Sequence, residues 1–167
     1  MNSLAALLIT MHAVGLDTPP VSTNVPVLEK AMTGASLVFE SIPDFWKLRY
    51  NITPGTPTGP KRAQTVFIRK SAFDYNSLLV HEAFGLIYDS PTPPSDALVI
   101  ETMSRRFAIG GIVYEVPSST QKNYRFRYKM DLPQDTQGQI LREYLEIIAA
   151  TADDLEVKLN PGSGDVQ

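Results

Sequence analysis

The histidine and cysteine side chains that often carry acid–base, nucleophilic and metal chemistry are scarce in this sequence. The chain has two histidines, His12 and His81, and no cysteine, which excludes a thiolate zinc site and a cysteine nucleophile. His81 lies near Ser77 and Asp74, the residue types of a Ser-His-Asp triad, but no Gly-x-Ser-x-Gly elbow accompanies them. We interpret His12 as a packing residue of an apolar helix and His81 as a satisfied histidine of a sheet. We predict no catalytic residue.

Two further stretches contain ligand-binding residue types in the wrong spacing. Gly55 to Lys61 superficially resembles a phosphate-binding loop, but Pro60 separates the second glycine from Lys61 and neither Ser nor Thr follows. Asp153-Asp154-x-Glu156 offers carboxylates, yet the alternating oxygen ligands and central glycine of a calcium loop are missing. We interpret the first stretch as a solvated loop and the second as a solvated helix end. The sequence therefore predicts no cofactor and no metal.

The strongest pattern is the alternation of aromatic and basic residues in the run from Tyr124 to Met130. Because successive side chains of a β-strand point to opposite faces, this run predicts a strand with one apolar face and one basic face. The run from Trp46 to Ile52 has the same period. We predict a basic sheet face that serves as an interaction surface; its cations are Lys47, Arg49, Arg125, Arg127 and Lys129.

Cations interleaved with aromatic residues are also found in proteins that bind single-stranded nucleic acids. In such platforms the rings share the solvent face with the cations, whereas the alternation at Tyr124 to Met130 sends them to the opposite face. The basic face could then contact phosphates without reading sequence. Nucleic-acid binding therefore stands as an alternative rather than as the main expectation.

Charge is distributed unevenly along the chain, although the net charge is only -3. Residues 1–44 have a net charge of -3, residues 45–130 hold twelve Lys and Arg against six acids, and residues 131–167 have a net charge of -6. Three explanations compete: the acidic C-terminal segment covers the basic sheet of its own subunit, it meets the basic face of a neighbouring copy, or the basic face meets nucleic acid.

Two helices are predicted within residues 1–35. Ser3 can cap a first helix over Leu4 to Ala13 that is apolar on nearly all sides, and such a helix is usually buried. We expect it to contact its own core or another subunit; the interaction residues that we assign to it are Leu4, Leu7 and Leu8. Asn24 begins a second, short helix that Gly34 ends. The longest apolar stretch, Leu4 to Met11, is too short to span a bilayer and lacks the flanking charge of a secretion signal, so we expect cytoplasmic synthesis and no membrane partner.

Residues 36–131 have the sequence pattern of strands separated by turns, with proline-rich loops at 53–62 and 90–96. Leu78 to Tyr88 fits either a helix or a strand, and we favour a strand. Ala97 to Thr102 is predicted as a strand. Gly110-Gly111 predicts a tight hairpin within residues 107–116, with a bulge as the alternative.

An amphipathic helix is predicted over residues 136–158, followed by a tail at 160–167. Its apolar side includes Leu141, Leu145 and Ile148. The length and the apolar content suit one domain. We predict an α+β fold in which an antiparallel β-sheet or barrel is flanked by two short N-terminal helices and this C-terminal helix.

The strand pair predicted around Gly110-Gly111-Ile112-Val113-Tyr114-Glu115-Val116 resembles small virion proteins of tailed bacteriophages, in particular neck or head-to-tail connector components. The resemblance covers about a tenth of the chain and extends to the β-rich, cysteine-free composition. It implies a virion location and a ring around a DNA channel, with basic residues near the lumen or docked onto an adjacent ring.

From these observations we expect a non-enzymatic structural or assembly subunit of a homo-oligomer. Its expected partners are copies of itself in a ring and neighbouring virion or assembly proteins, with DNA as a further partner through non-specific backbone contact. A small nucleic-acid-binding domain that uses the basic sheet face is the first alternative. A small enzyme or ligand-binding barrel is the second.

Overall fold

The computed structural model describes residues 25–52 and 62–159. In chain order, the elements are α1 (Val25–Gly34), β1 (Phe39–Ser41), β2 (Phe45–Ile52), β3 (Arg62–Arg69), β4 (Phe73–Tyr75), β5 (Leu78–Ser90), α2 (Asp96–Met103), β6 (Gly111–Glu115), β7 (Tyr124–Pro133) and α3 (Gly138–Leu159). The fold is therefore α+β, as the sequence predicts.

The seven strands form one open antiparallel sheet with the order β1-β2-β3-β5-β7-β6, and β4 pairs with the first part of β5. β1 and β6 lie at the two ends of this order, so the described strands do not close into a barrel. The long strands β5 and β7 pair over most of their length and form the centre of the sheet. A bulge between Leu86 and Tyr88 shifts their register and places Ile87 in the core.

One side of the sheet, called the inner face here, packs against α3. Trp46, Leu48, Val66, Ile68, Phe126, Tyr128 and Met130 alternate along β2, β3 and β7 to form it. From α3, Leu141, Leu145 and Ile148 complete the core. Gly85 of β5 allows the closest approach, because a Cβ there would lie 2.6 Å from the Cβ of Ala152. The amphipathic helix predicted at the C-terminus is thus confirmed, and its apolar side covers the sheet.

The second predicted N-terminal helix is α1, whose Leu28 and Met32 are fully buried in the same core. Arg142 of α3 donates a hydrogen bond to the carbonyl oxygen of Ala35, just after α1 ends. The first predicted helix, with Leu4, Leu7 and Leu8, lies outside the described residues, as do most of the 53–62 loop and the 160–167 tail. Arg62 belongs to β3 rather than to that loop.

The strand predicted over Ala97 to Thr102 is wrong, because this segment is helix α2. Ser95 caps the helix by accepting a hydrogen bond from the Leu98 backbone N–H at 3.3 Å, and Asp96 follows in the first turn. A continuous run of apolar residues fits a buried strand or a helix equally well, and here the cap decides between them.

The hairpin predicted around Gly110-Gly111 is also wrong, and so is the bulge within one strand. Only Gly111 to Glu115 forms a strand, β6, and its partner is β7. Gly110 has φ +71, and a Cβ there would lie 2.6 Å from the Lys129 carbonyl oxygen, so the position requires glycine. Tyr128 of β7 donates a 2.5 Å hydrogen bond to the Ile109 carbonyl oxygen, which holds the segment just before β6 against β7. Gly110 therefore allows a close approach to β7, and the two glycines do not form a two-residue turn.

Candidate functional site

The side of the sheet opposite α3, called the open face here, has no helix packed on it among the described residues. The register places on it all five cations of the predicted charge face, together with Arg69. It also places five carboxylates there: Glu40, Glu82, Asp89, Glu115 and Asp131. Six cations and five carboxylates nearly cancel, so the open face is close to neutral. The sequence identified the cations but not the acids that face them.

Most of these charges form ion pairs across the strands. Glu82 accepts from Arg127 Nη1 at 2.7 Å and lies 3.6 Å from Arg69 Nε. Arg127 also donates through Nη2 to Glu115 at 2.5 Å. Arg125 pairs with Asp89 at 2.9 Å, and its side chain is 36% exposed. The arginines are therefore largely committed to partners within the sheet.

The other three predicted cations are less constrained. Lys47 lies directly opposite Glu40 in the register of β1 and β2, and Arg49 is exposed. Lys129 lies 3.5 Å from Asp131 at a largely exposed site, where an ion pair contributes little. Of the three explanations for the uneven charge, the first is wrong for α3, because this helix lies on the face opposite the cations; contact with a neighbouring copy and contact with nucleic acid stay predictions. Carboxylates of β5 and β6 neutralise the basic strands, while α3 packs on the inner face.

Aromatic rings also lie on the open face, which sequence reasoning missed. Phe45, Phe67 and Phe84 come from three adjacent strands, with ring centroids 5.4 to 6.1 Å apart. Two arginines cover two of the rings: the Cζ atom of Arg69 lies 5.1 Å from the Phe45 centroid, and that of Arg127 lies 4.4 Å from the Phe84 centroid. The sequence feature that could have predicted an apolar open face is the uninterrupted run Val66-Phe67-Ile68, because three successive apolar residues in a strand place apolar side chains on both faces.

These rings form the floor of a cleft with a volume of about 430 Å³. This volume lies within the usual range for ligand-binding clefts. The remaining residues that line the cleft are Ile42, Arg69, Leu86, Glu115, Thr120, Gln121, Arg125 and Arg127. An apolar floor is thus surrounded by paired charges and by one uncharged amide.

Gln121 reaches the cleft from the loop between β6 and β7. Its backbone N–H donates to Ser118 Oγ at 3.2 Å, and its carbonyl accepts from the Ser118 N–H at 2.6 Å, so a tight turn holds it in place. The side-chain amide nitrogen and oxygen are both buried without a hydrogen-bond partner. An amide in this situation has an unused donor and an unused acceptor, which a ligand in the cleft could satisfy.

His81 lies on the inner face beside Trp46, with ring centroids 5.9 Å apart. Its Nδ1 hydrogen-bonds with the Arg69 carbonyl oxygen at 2.9 Å, and burial lowers the pKa of the imidazole. Asp74 accepts a hydrogen bond from the Ser77 backbone N–H at an exposed turn instead of orienting the histidine. His81 is therefore a neutral, packed residue of the sheet, and Ser77, His81 and Asp74 are not arranged as a triad.

The carboxylates near the end of α3 are not all solvated, which corrects the interpretation of Asp153-Asp154-x-Glu156. Asp153 and Glu156 are buried, and Arg62 of β3 donates to Asp153 at 2.7 Å and lies 3.6 Å from Glu156. Asp154 alone is exposed. Among the residues that the structure describes, no group of three or more His, Asp and Glu side chains is arranged to hold a metal ion.

A second surface lies at the β6 end of the sheet. Helix α2 contacts β6, and its residues Leu98 and Val99 pack against the core. Ile100 is nevertheless 70% exposed, and Met103 is also exposed. Two further exposed side chains, Ile109 and Val116, lie just before and just after β6. We call Ile100 and Met103 of α2, together with Ile109 and Val116 near the two opposite ends of β6, the α2 patch. Sequence reasoning missed it because it assigned residues 97–102 to a strand.

No protein-family model matches this chain, and no curated protein or solved structure is significantly similar to it. In the described ranges, no helix is long and apolar enough to cross a lipid bilayer.

Proposed function

We propose that this chain is a non-enzymatic assembly subunit that associates with copies of itself through the α2 patch. The observation that carries the proposal is the character of α2, which contains Ala97, Leu98, Val99, Ile100 and Met103 in eight residues. A helix that is apolar on nearly all sides is normally buried, and exposed apolar clusters mark interaction sites. A second copy would cover the side chains that the first copy leaves exposed.

The edge of the sheet gives additional support. β6 is an edge strand whose outer backbone groups have no neighbouring strand among the described elements. Two copies related by a twofold axis could bring their α2 patches together beside these edges, because a twofold interface uses the same surface on both subunits. Pro117 follows directly after Val116, which limits how far strand pairing could extend.

The test is the solution mass of the nuclease-treated protein by size-exclusion chromatography with light scattering, at low and moderate salt. We expect wild type to exceed the 18.5 kDa of one chain and Ile100→Glu to elute as a monomer, because a carboxylate at the interface would have to be desolvated. Ile140→Glu is the matched control, since Ile140 is 59% exposed on α3. A monomeric wild type, or an Ile100→Glu variant with the wild-type mass, would contradict the proposal.

The finer proposal is a neck or head-to-tail connector ring of a tailed phage. It rests on the sequence resemblance around Gly110 to Val116, where the fold has the single strand β6 in place of a hairpin. A closed ring needs two different surfaces on each subunit, whereas a patch that meets itself gives a dimer. A defined mass of three or more chains would favour the ring, and a dimer would count against it.

Nucleic-acid binding by the open face is the second candidate. The partly exposed rings of Phe45 and Phe67 favour it, because they share the open face with arginines, although the rings of Tyr124 to Met130 lie on the opposite face. The near balance of cations and carboxylates counts against it, since affinity for nucleic acid comes largely from unpaired cations near phosphates. A binder should lose affinity and show a shallower salt dependence when Arg125 and Arg127 are both replaced by Ala.

A further inference from the structure

The open-face cleft is not part of the surface proposed for self-association, and its residues are suited to binding a ligand. Its floor consists of Phe45, Phe67 and Phe84, its rim charges are paired with one another, and the amide of Gln121 has no partner. We propose that this cleft binds an extended, uncharged polypeptide segment of a partner protein. An apolar side chain of that segment would occupy the phenylalanine floor, and one of its peptide groups would hydrogen-bond with Gln121.

The side-chain amide of Gln121 is the polar group that a ligand in the cleft would contact. A buried donor and acceptor without partners destabilise the free protein, and a ligand that satisfies both removes this cost. A peptide group presents a C=O acceptor and an N–H donor, which are complementary to the N–H donor and C=O acceptor of a glutamine side chain. Because the turn at Ser118 fixes the Gln121 backbone, little conformational freedom would be lost there on binding.

The charges at the rim favour an uncharged ligand. Arg127 is paired with both Glu82 and Glu115, and Arg125 is paired with Asp89. A polyanion would have to compete with these carboxylates or lie beside them, which costs electrostatic free energy. Successive bases need several open ring faces to stack on, but the guanidinium groups of Arg69 and Arg127 lie over Phe45 and Phe84, which leaves the partly exposed Phe67 for one apolar side chain.

The size of the cleft also suits a peptide. A volume of about 430 Å³ accommodates a few side chains of an extended segment. Alternate side chains of such a segment point toward the floor and toward solvent, so one or two apolar residues are sufficient for contact. This inference does not depend on the α2 patch, because the contact residues of the two surfaces do not overlap.

The experiment is an NMR titration of the ¹⁵N-labelled full chain with the uncharged pentapeptide acetyl-Ser-Leu-Phe-Leu-Ser-amide. We expect saturable shifts of the Gln121 side-chain amide and of backbone amides near Phe67. The variant Gln121→Leu should weaken binding about tenfold, because it removes a pair of neutral hydrogen bonds. Gln134→Leu is the matched control, since the Gln134 side-chain oxygen is also buried without a partner but lies outside the cleft. Each variant is compared only if its amide spectrum retains the native dispersion.

Two comparison probes complete the design. Acetyl-Ser-Gly-Gly-Gly-Ser-amide should not produce saturable shifts, because it has no side chain for the phenylalanine floor. The oligonucleotide dT8 should leave the cleft signals unchanged. The proposal is overturned if the pentapeptide gives no saturable shift, if both glutamine variants weaken it equally, if the glycine peptide binds as well, or if dT8 is the probe that shifts the cleft.

Discussion

The two faces of the sheet are built from the same strands, but their side chains are stabilised differently: by apolar packing on the inner face and by ion pairs on the open face. The inner face is apolar and covered by α3, with Trp46 and Phe126 fully buried. The open face combines half-buried rings with ion pairs across β3, β5, β6 and β7. Strand alternation sends cations to one face, but it does not leave them free, because neighbouring strands supply the acids. A basic strand in a sequence is therefore weak evidence for a basic surface.

The largest difference between the faces should appear when a phenylalanine is removed from each. Phe126→Ala should lower the free energy of unfolding by about 3–5 kcal/mol, because it leaves a cavity in a close-packed core. Phe67→Ala, on the open face, should cost only about 1–2 kcal/mol, because its ring is already partly exposed to water. Urea unfolding at one protein concentration, followed by the fluorescence of the single tryptophan, measures both. Equal costs would mean that the open face is packed as tightly as the inner face.

A smaller effect should separate two arginines within the open face. Arg127→Met should cost about 1–3 kcal/mol, because it leaves Glu82 and Glu115 without their shared cation at a site where the arginine side chain is only 11% exposed. Arg125→Met should cost about 0–1 kcal/mol, because its ion pair with Asp89 is more exposed. The same urea experiment compares them. A neutral or stabilising Arg127→Met would show that the paired charges do not hold the strands together.

The smallest effect is a pH dependence that belongs to the inner face. Burial lowers the pKa of His81, so the unfolded chain, in which the imidazole has its ordinary pKa of about 6.5, takes up more protons than the folded chain as the pH falls below that value. Stability should therefore fall as the pH decreases from 7 toward 5, by at most about 1.4 kcal/mol per pH unit.

Urea unfolding at several pH values tests this, with His81→Gln expected to flatten the slope between pH 7 and 5. The same series on His12→Gln measures how much of the slope comes from the other histidine of the sequence. If His81→Gln keeps the wild-type slope, another group is responsible for the pH dependence in this range. If the His81 variant does not fold, the imidazole titration followed by NMR in the wild type gives the pKa directly.

Part of the fold was predictable because local patterns determine it. The period of 3.6 identified α3, and the period of two identified β2 and β7. The errors occurred where local patterns are ambiguous. The apolar run at 97–102 fits a helix or a strand, and Gly110-Gly111 fits a turn or a close approach to a neighbouring strand. The candidate site was only half predictable, since the cations were visible but their carboxylates and the rings beside them come from other strands.

The sequence by itself determined which residues alternate along each strand, which side of α3 is apolar, and that catalytic motifs are lacking. Only the tertiary structure decided that Glu82 and Glu115 lie beside Arg127, that three phenylalanines form one cleft, and that α2 exposes Ile100. The physical reason is the range of the interactions. Side-chain periodicity is set by the geometry of adjacent residues, whereas the order and register of strands bring together residues that are distant in sequence.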